Sequence, residues 1–474
     1  MERWLSELGA ITALLAVVAV VVLRLPKIDV GHTPAYRRRR FGNWFPVGLT
    51  YAFLYMGRYN LNACVGHLYT TEQFSKVQGV GALVYGVSFV LNGPLTDRWG
   101  GRRTIIIAAV GAAAANLATA FVVRSNLVGG EFGKELWAGH VPLFALLFAV
   151  NMYFQSFGAV SIVKVNSAWF HLRERGTFGG VFGILISLGL YFAFDVCALL
   201  RKEQGTVAVF AVPACILLAC AVACATTVRD TPGEAGYPDF DLGDASAAAG
   251  APRAPLLTIV TAMAKNPAIV TIALIEFCSG YLRNGILQYY KPFATAVLRA
   301  KGDFVYNHWG MLNCIAGILG GVTAGIISDR LFGSRRGPVA GVLYGLMLVG
   351  SLLLIATVNT PFTGWNVVLM TLAIIGVHGM LSGTATMDFG GKQNVGIVVG
   401  VIDGFVYLGI SLNSFLFGRI LPKPPLDADP ANWWRWPVGL SGAAVVGLLL
   451  SLRVWNSRPD RSGAKGETSR ATAL

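Results

Sequence analysis

The sequence predicts an all-α membrane protein: two pseudo-symmetric six-helix bundles, with one extra N-terminal transmembrane helix ahead of them. Three observations predict it. Of 474 residues, 54% are hydrophobic and only 13% charged, and the mean hydropathy is +0.59, outside the range of a soluble domain. Apolar runs long enough to cross a bilayer recur along the chain, six before and six after one polar stretch. A charged loop of similar sequence closes the second run of each six.

Residues 1–42 hold the extra helix, an apolar run at 8–25, and a basic segment that includes Arg37–Arg40. The start of the chain lacks a clean positive region and a nearby small-residue cleavage site, so an uncleaved helix is expected rather than a signal peptide. The first bundle (43–227) has runs at 44–68, 77–96, 104–123, 141–163, 177–200 and 206–227. A polar, acidic, Ala/Pro/Gly-rich linker (228–266) follows. The second bundle (267–456) has runs at 268–290, 309–328, 338–358, 366–387, 395–419 and 436–455, and a polar tail (457–474) ends the chain.

The net charge of +14 would suggest nucleic acid in a soluble chain. Here most Lys and Arg fall in alternate loops, on the side of Arg37–Arg40, which reads as positive-inside topology and puts linker and C-terminus in the cytoplasm. No nucleic-acid partner is expected, and lipid is. The seven cysteines lie within apolar runs with no C-x-x-C or His/Cys cluster, which argues against disulfides and metal. No hydrolase, P-loop or zinc-protease motif occurs, so neither an enzyme nor a cofactor is expected.

Two arginines stand out. Arg58, in Gly57-Arg58-Tyr59-Asn60, falls about 14 residues into the 44–68 run, and Arg283 about 15 residues into the run from Ala268. An arginine at mid-membrane costs roughly 2.5–3.5 kcal/mol on insertion scales, so each is a functional candidate by default. Equal depth in the first helix of each half suggests one anion site between the halves. The bland alternative is structural pairing with an acid. Only Asp195, Glu276 and Asp403 lie inside spans, and Glu276 is two helical turns from Arg283, about 10.5 Å along the axis, too far for a direct pair.

Gly93-Pro94-Leu95-Thr96-Asp97-Arg98-Trp99-Gly100-Gly101-Arg102-Arg103 follows the pattern G-x-L-x-D-R-x-G-x-R-R, and a similar run from Gly325 through Asp329-Arg330 to Arg335-Arg336 closes the second helix of the other half. A carboxylate at a helix end can meet an incoming helix N-terminus while the arginines stay wet. Such contacts either gate motion of the halves or only fix a basic turn. Glycines at four-residue spacing (Gly317, Gly321, Gly325; Gly396, Gly400, Gly404) and Gly179 and Gly183 allow close helix approach.

The loop motif is similar to the signature of the major facilitator superfamily. The Arg58 and Arg283 stretches, Asn151-Met152-Tyr153-Phe154-Gln155, Trp169-Phe170-His171-Leu172-Arg173-Glu174-Arg175-Gly176 and Asp403-Gly404-Phe405-Val406-Tyr407 together resemble its organophosphate:phosphate antiporters, which include glycerol-3-phosphate and hexose-phosphate transporters. The resemblance covers about residues 41–456. It implies that Arg58 and Arg283 grip the phosphate of a small anionic phosphorylated metabolite, exchanged for inorganic phosphate by a monomer in a bacterial inner membrane. Several accessory groups of that family are missing. Ile186 stands at its helix-5 histidine, Tyr59 and Phe89 at lysines, and Gln288 at an acid.

Further substrate contacts are expected among Tyr59, Asn62, Gln155, Asn284 and Tyr407, whose alternative is plain packing. Lys164 either serves the cytoplasmic mouth or snorkels, and His378 is a ligand or a core histidine. Asp97, Arg98, Arg102, Asp329, Arg330, Glu174 and Arg175 are the gating candidates, and Glu276 and Asp403 the candidate coupling acids. Two rivals follow: a proton-coupled organic-anion symporter of the same fold, and a transporter-like organophosphate sensor.

Overall fold

The computed structural model describes residues 32–128, 134–171, 174–238, 256–298, 303–332, 335–358, 360–381 and 386–456, with five separate positions (9, 12, 14, 16 and 20) ahead of them. Apart from those five positions, the expected extra helix lies outside the described residues. So do the middle of the linker and the tail.

Twelve long helices run through the described residues: α1 (Pro34–Tyr59), α2 (Thr71–Trp99), α3 (Gly101–Val128), α4 (Lys134–Trp169), α5 (Arg175–Tyr191), α6 (Thr206–Thr227), α7 (Pro267–Leu287), α8 (Trp309–Leu331), α9 (Arg336–Thr357), α10 (Phe362–Met380), α11 (Thr386–Ile420) and α12 (Arg435–Arg453). Among the described residues, eleven spans are long and apolar enough to cross a membrane. The exception is α1, which carries Arg37–Arg40 in its first turns. Each of the twelve expected runs from residue 44 onward overlaps a helix among the described residues. Several helices reach beyond the apolar run because polar residues cap them outside it.

The caps are legible in chemistry. Thr33 accepts from the Tyr36 amide at 3.2 Å, and Pro34 opens α1. Thr70 and Gln73 form a reciprocal capping box at α2, and Asn266 caps α7 ahead of Pro267. Gly100, at φ 87°, ends α2 and lets α3 start one residue later. The expected helix through residue 68 is cut short. α1 ends at Tyr59 and passes into a 3-10 turn, Asn60–Cys64. There the Asn62 amide bonds the Tyr59 carbonyl at 2.9 Å, and Asn60 donates to Asn116 and to the Val209 carbonyl. Asparagine side chains here offer alternatives to continuing the ladder. Arg58 therefore sits at the end of a helix, not in its middle.

Within the first half α4 packs on α2 and α3, while α1 lies against α5 and α6. In the second, α7 packs on α11 and α12, and α8 on α10. Among the described residues, the two most extensive contacts between the halves are α2 with α11 and α5 with α8. The α2–α11 contact is backbone on backbone. A Cβ on Gly86 would lie 2.8 Å from the Gly404 carbonyl, and one on Gly404 2.9 Å from the Gly86 carbonyl. Gly400 meets the Phe89 carbonyl in the same way. At α5–α8, Gly317 faces Ser187, whereas Gly183, Gly321 and Gly325 have open space. The four-residue glycine spacing thus marks a real close approach on α11 and only part of one on α8.

Candidate functional site

Arg58 is fully buried where α1, α2, α4 and α11 meet. Its Nε donates to Gln155 Oε1 on α4 at 2.9 Å, and its Nη1 donates to the Tyr407 hydroxyl on α11. The guanidinium lies over the rings of Tyr55 and Tyr85, 4.6 and 4.5 Å from their centroids, and 5.6 Å from that of Tyr407. Arg283, on α7, is 5.8 Å from the same Tyr407 ring and donates from Nη2 to the Tyr59 hydroxyl at 3.5 Å. One tyrosine of the second half thus stands between two arginines, one from each half.

Among the described residues neither guanidinium has a carboxylate within ion-pair distance. Desolvating an ion costs several kcal/mol. Neutral amides, hydroxyls and aromatic faces offset part of this, the last by about 2 kcal/mol or more each when desolvated. They leave the charge itself in place. The Arg58 Nη2 and the Tyr85 hydroxyl make no hydrogen bond to the described residues. The centre therefore combines two uncancelled positive charges with unused donors, an arrangement that attracts an anion with several oxygens.

A buried amide network holds this centre. Gln155 Nε2 donates to Asn151 Oδ1 at 2.9 Å, and Asn151 Nδ2 to the Gly57 carbonyl at 3.0 Å. Asn116 reaches the same carbonyl at 3.2 Å. The last turn of α1 and the Arg58 side chain are so fixed to α3 and α4.

The other expected substrate contacts fall elsewhere. Asn284 Nδ2 donates within the second half, to Asn413 at 2.7 Å and Ser414 at 3.0 Å. Asn62 lines an open cavity of about 1140 Å³ at the end of the molecule where α1 and α7 finish, with Arg201, Lys202, Gln288 and Lys291. Lys164 is far from the arginines in the fold, paired with Asp97 at 2.8 Å. His378 Nδ1 is 3.0 Å from Glu276 Oε2, so the expected coupling acid has a histidine partner instead of Arg283. Asp403 is buried one turn before Tyr407 on α11.

The loop candidates gather at the end of the molecule that holds the start of α1. Asp97 takes Lys164. Glu174 takes Arg40 through both oxygens at 2.8 and 3.0 Å, while the Arg40 guanidinium lies over Phe170 at 4.4 Å. Arg102 donates its amide to Asp230, just past α6, at 2.7 Å. Burial pushes the Asp230 carboxyl above its usual range, against the pull of that amide. Arg98 and Arg330 are exposed, and the side chains of Asp329 and Arg175 lie outside the described residues.

Two groups escaped sequence reasoning. Tyr85 is a ring in an apolar run, and only its facing of Arg58 distinguishes it. Asp195 looked like a third intramembrane acid. It sits on a π turn after α5 (Phe192–Val196) and accepts from the Gly310 and Met311 amides at 2.8 Å each. It thus caps the N-terminus of α8 across the two halves.

The Major Facilitator Superfamily description matches residues 47–414. The chain is 26% identical over 463 residues to the membrane sensor protein UhpC of Escherichia coli, covering 93% of this chain and 97% of that one. It is 24% identical to the glycerol-3-phosphate transporter of Bacillus subtilis, covering 89% and 94%. It is 22% identical to a probable hexose phosphate transport protein of Chlamydia trachomatis, covering 89% and 92%. Among solved structures, that of a D-xylose–proton symporter superposes with a TM-score of 0.62 at 16% identity, covering 89% of this chain and 99% of that one.

Proposed function

We propose that this chain, which belongs to the Major Facilitator Superfamily and is a multi-pass membrane transporter rather than an enzyme, exchanges a phosphorylated metabolite of sugar-phosphate or glycerol-phosphate type for inorganic phosphate. It works by alternating access about the Arg58–Arg283 centre, in a bacterial inner membrane. The observation that carries the reading is the pair of buried arginines, one from each half, with no carboxylate among the described residues to neutralise them. A phosphate monoester brings about −1.5 to −2 charges at pH 7, and two guanidiniums balance it. Relatives named for glycerol-3-phosphate and hexose phosphate transport support the substrate class. Asp97–Lys164 and Glu174–Arg40 are assigned to gating, because they brace the helix ends of the first half away from the arginine centre.

The test is phosphate affinity and exchange in proteoliposomes. Arg58→Lys and Arg283→Lys are each expected to impair exchange strongly, since lysine cannot reproduce the two-point fork. The Ala variants should weaken binding roughly 30-fold or more, from about 2–5 kcal/mol for truncating one partner of a desolvated charge pair. The losses should not add in the double variant. Near-wild-type phosphate binding in a folded Ala variant removes that arginine from the site.

A second reading is favoured by the relative named as a membrane sensor protein: the same centre binds an organophosphate and reports it instead of moving it. Binding without any exchange in sealed vesicles would select that reading.

A further inference from the structure

Glu276 is fully buried on α7, and its second oxygen, Oε1, makes no hydrogen bond to the described residues. Its other oxygen lies 3.0 Å from His378 Nδ1 on α10. The histidine side chain is 21% exposed while the carboxylate is 0% exposed, so His378 is the more accessible end of the pair. Glu276 also lies two turns from Arg283 on the same helix, about 10.5 Å along the axis. We infer that Glu276 and His378 form a proton-binding site coupled to anion occupancy of the arginine centre, with the partly exposed His378 as the entry and Glu276 as the buried terminus. This deepens the proposed phosphate reading and rests on it.

The coupling follows from charge. With the arginines unoccupied, their positive field favours the carboxylate form of Glu276, which in turn offsets part of that field. A bound phosphate removes that field, and a buried carboxylate then lacks compensation. A proton taken through His378 leaves the pair neutral overall, either as carboxylate and imidazolium or as acid and imidazole. By linkage, the anion raises the proton affinity of the pair by the same factor as the proton raises anion affinity. A unit charge at about 10 Å and an effective dielectric of about 20 makes that factor on the order of tenfold.

The groups packed around the pair leave it the role. On α7 itself stand Cys278, Tyr281 and Arg283. From α11 come Asp403, one helical turn from Tyr407, and Tyr407. α9 contributes Tyr344, whose hydroxyl is committed to the Ile275 carbonyl at 2.5 Å. α8 offers Cys314 within its span and Asp329 and Arg330 at its end, the short helix Leu256–Lys265 offers Lys265, and α12 has arginines only at its two ends. Among the described residues, none of these other groups forms an ion pair with Glu276.

The experiment measures the dissociation constant of inorganic phosphate from pH 5.5 to 8 in the wild type, Glu276→Gln and His378→Gln. Phosphate's own ionisation enters all three profiles alike. The expected result is an extra fall in wild-type affinity, of about tenfold, as pH rises, lost in Glu276→Gln and reduced in His378→Gln. A second readout is an imposed proton gradient, which should speed phosphate entry by the wild type and not by Glu276→Gln. Superposable pH profiles in wild type and either folded variant overturn the coupling while leaving the phosphate reading intact. Absence of phosphate binding by the wild type at every pH overturns both.

Discussion

At the scale of single residues, Tyr407 is the most informative contact, because its hydroxyl accepts from Arg58 while its ring lies beside Arg283. An incoming phosphate must compete with that hydroxyl for the Arg58 fork. A hydrogen bond to a charged group is worth about 1.5–3 kcal/mol. Tyr407→Phe is therefore predicted to tighten phosphate binding by about tenfold or more, as read by calorimetry on purified protein. Weaker binding would instead show that the hydroxyl contacts the anion. The two arginines were legible because one charge in an apolar run is a signal in itself. Their partners were not. Tyr85 and Tyr407 are ordinary aromatic positions until the helices are placed, and Glu276 finds His378 102 residues away. Asn284, equally polar, turned inward to Asn413 and Ser414, a choice that no local pattern announces.

At the scale of elements, the two most extensive contacts between the halves have different chemistry and make different predictions. α2 and α11 touch through Gly86 and Gly404, where any Cβ meets a carbonyl. Gly404→Val should overpack that crossing and cost about 1–3 kcal/mol of stability. Folded protein should bind phosphate yet exchange it slowly, because the helices cannot approach. Wild-type exchange in this variant would mean the close approach is only packing. α5 and α8 are joined by a charge-assisted cap, Asp195 on the Gly310 and Met311 amides. Asp195→Asn keeps the shape and removes the charge, worth up to about 2 kcal/mol at a partly buried helix terminus. That should raise the fraction of molecules parted at this end, seen as a longer distance between spin labels at Lys202 and Phe304, which lie near it. An unchanged distance distribution would show that the cap holds α8 without holding the halves. The sequence yielded the helices themselves, since span length and hydropathy are local properties. It misplaced the end of α1, because the Asn60 and Asn62 side chains take over backbone duties there.

At the scale of the whole molecule, the six-linker-six pattern was legible because each span must satisfy its own backbone and bury in lipid or in its neighbours. What hydropathy does not carry is which halves touch and what the centre does when empty. Arg58 and Arg283 each lie within 6 Å of the one Tyr407 ring, 5.6 and 5.8 Å from its centroid. Two like charges at about 10 Å repel by roughly 1.7 kcal/mol at an effective dielectric of about 20. Closing the halves around an empty centre works against that repulsion in a dehydrating environment, whereas a bound phosphate cancels it. The empty return should therefore be the slow step, and exchange the fast one. Vesicles loaded with phosphate should take up labelled phosphate at least about tenfold faster than vesicles loaded with chloride. The difference should shrink in Arg283→Ala, where the surviving charge has no neighbour to repel. Equal rates with and without internal phosphate would mean that the empty centre crosses freely, and the arginine pair would then bind an anion without enforcing its exchange.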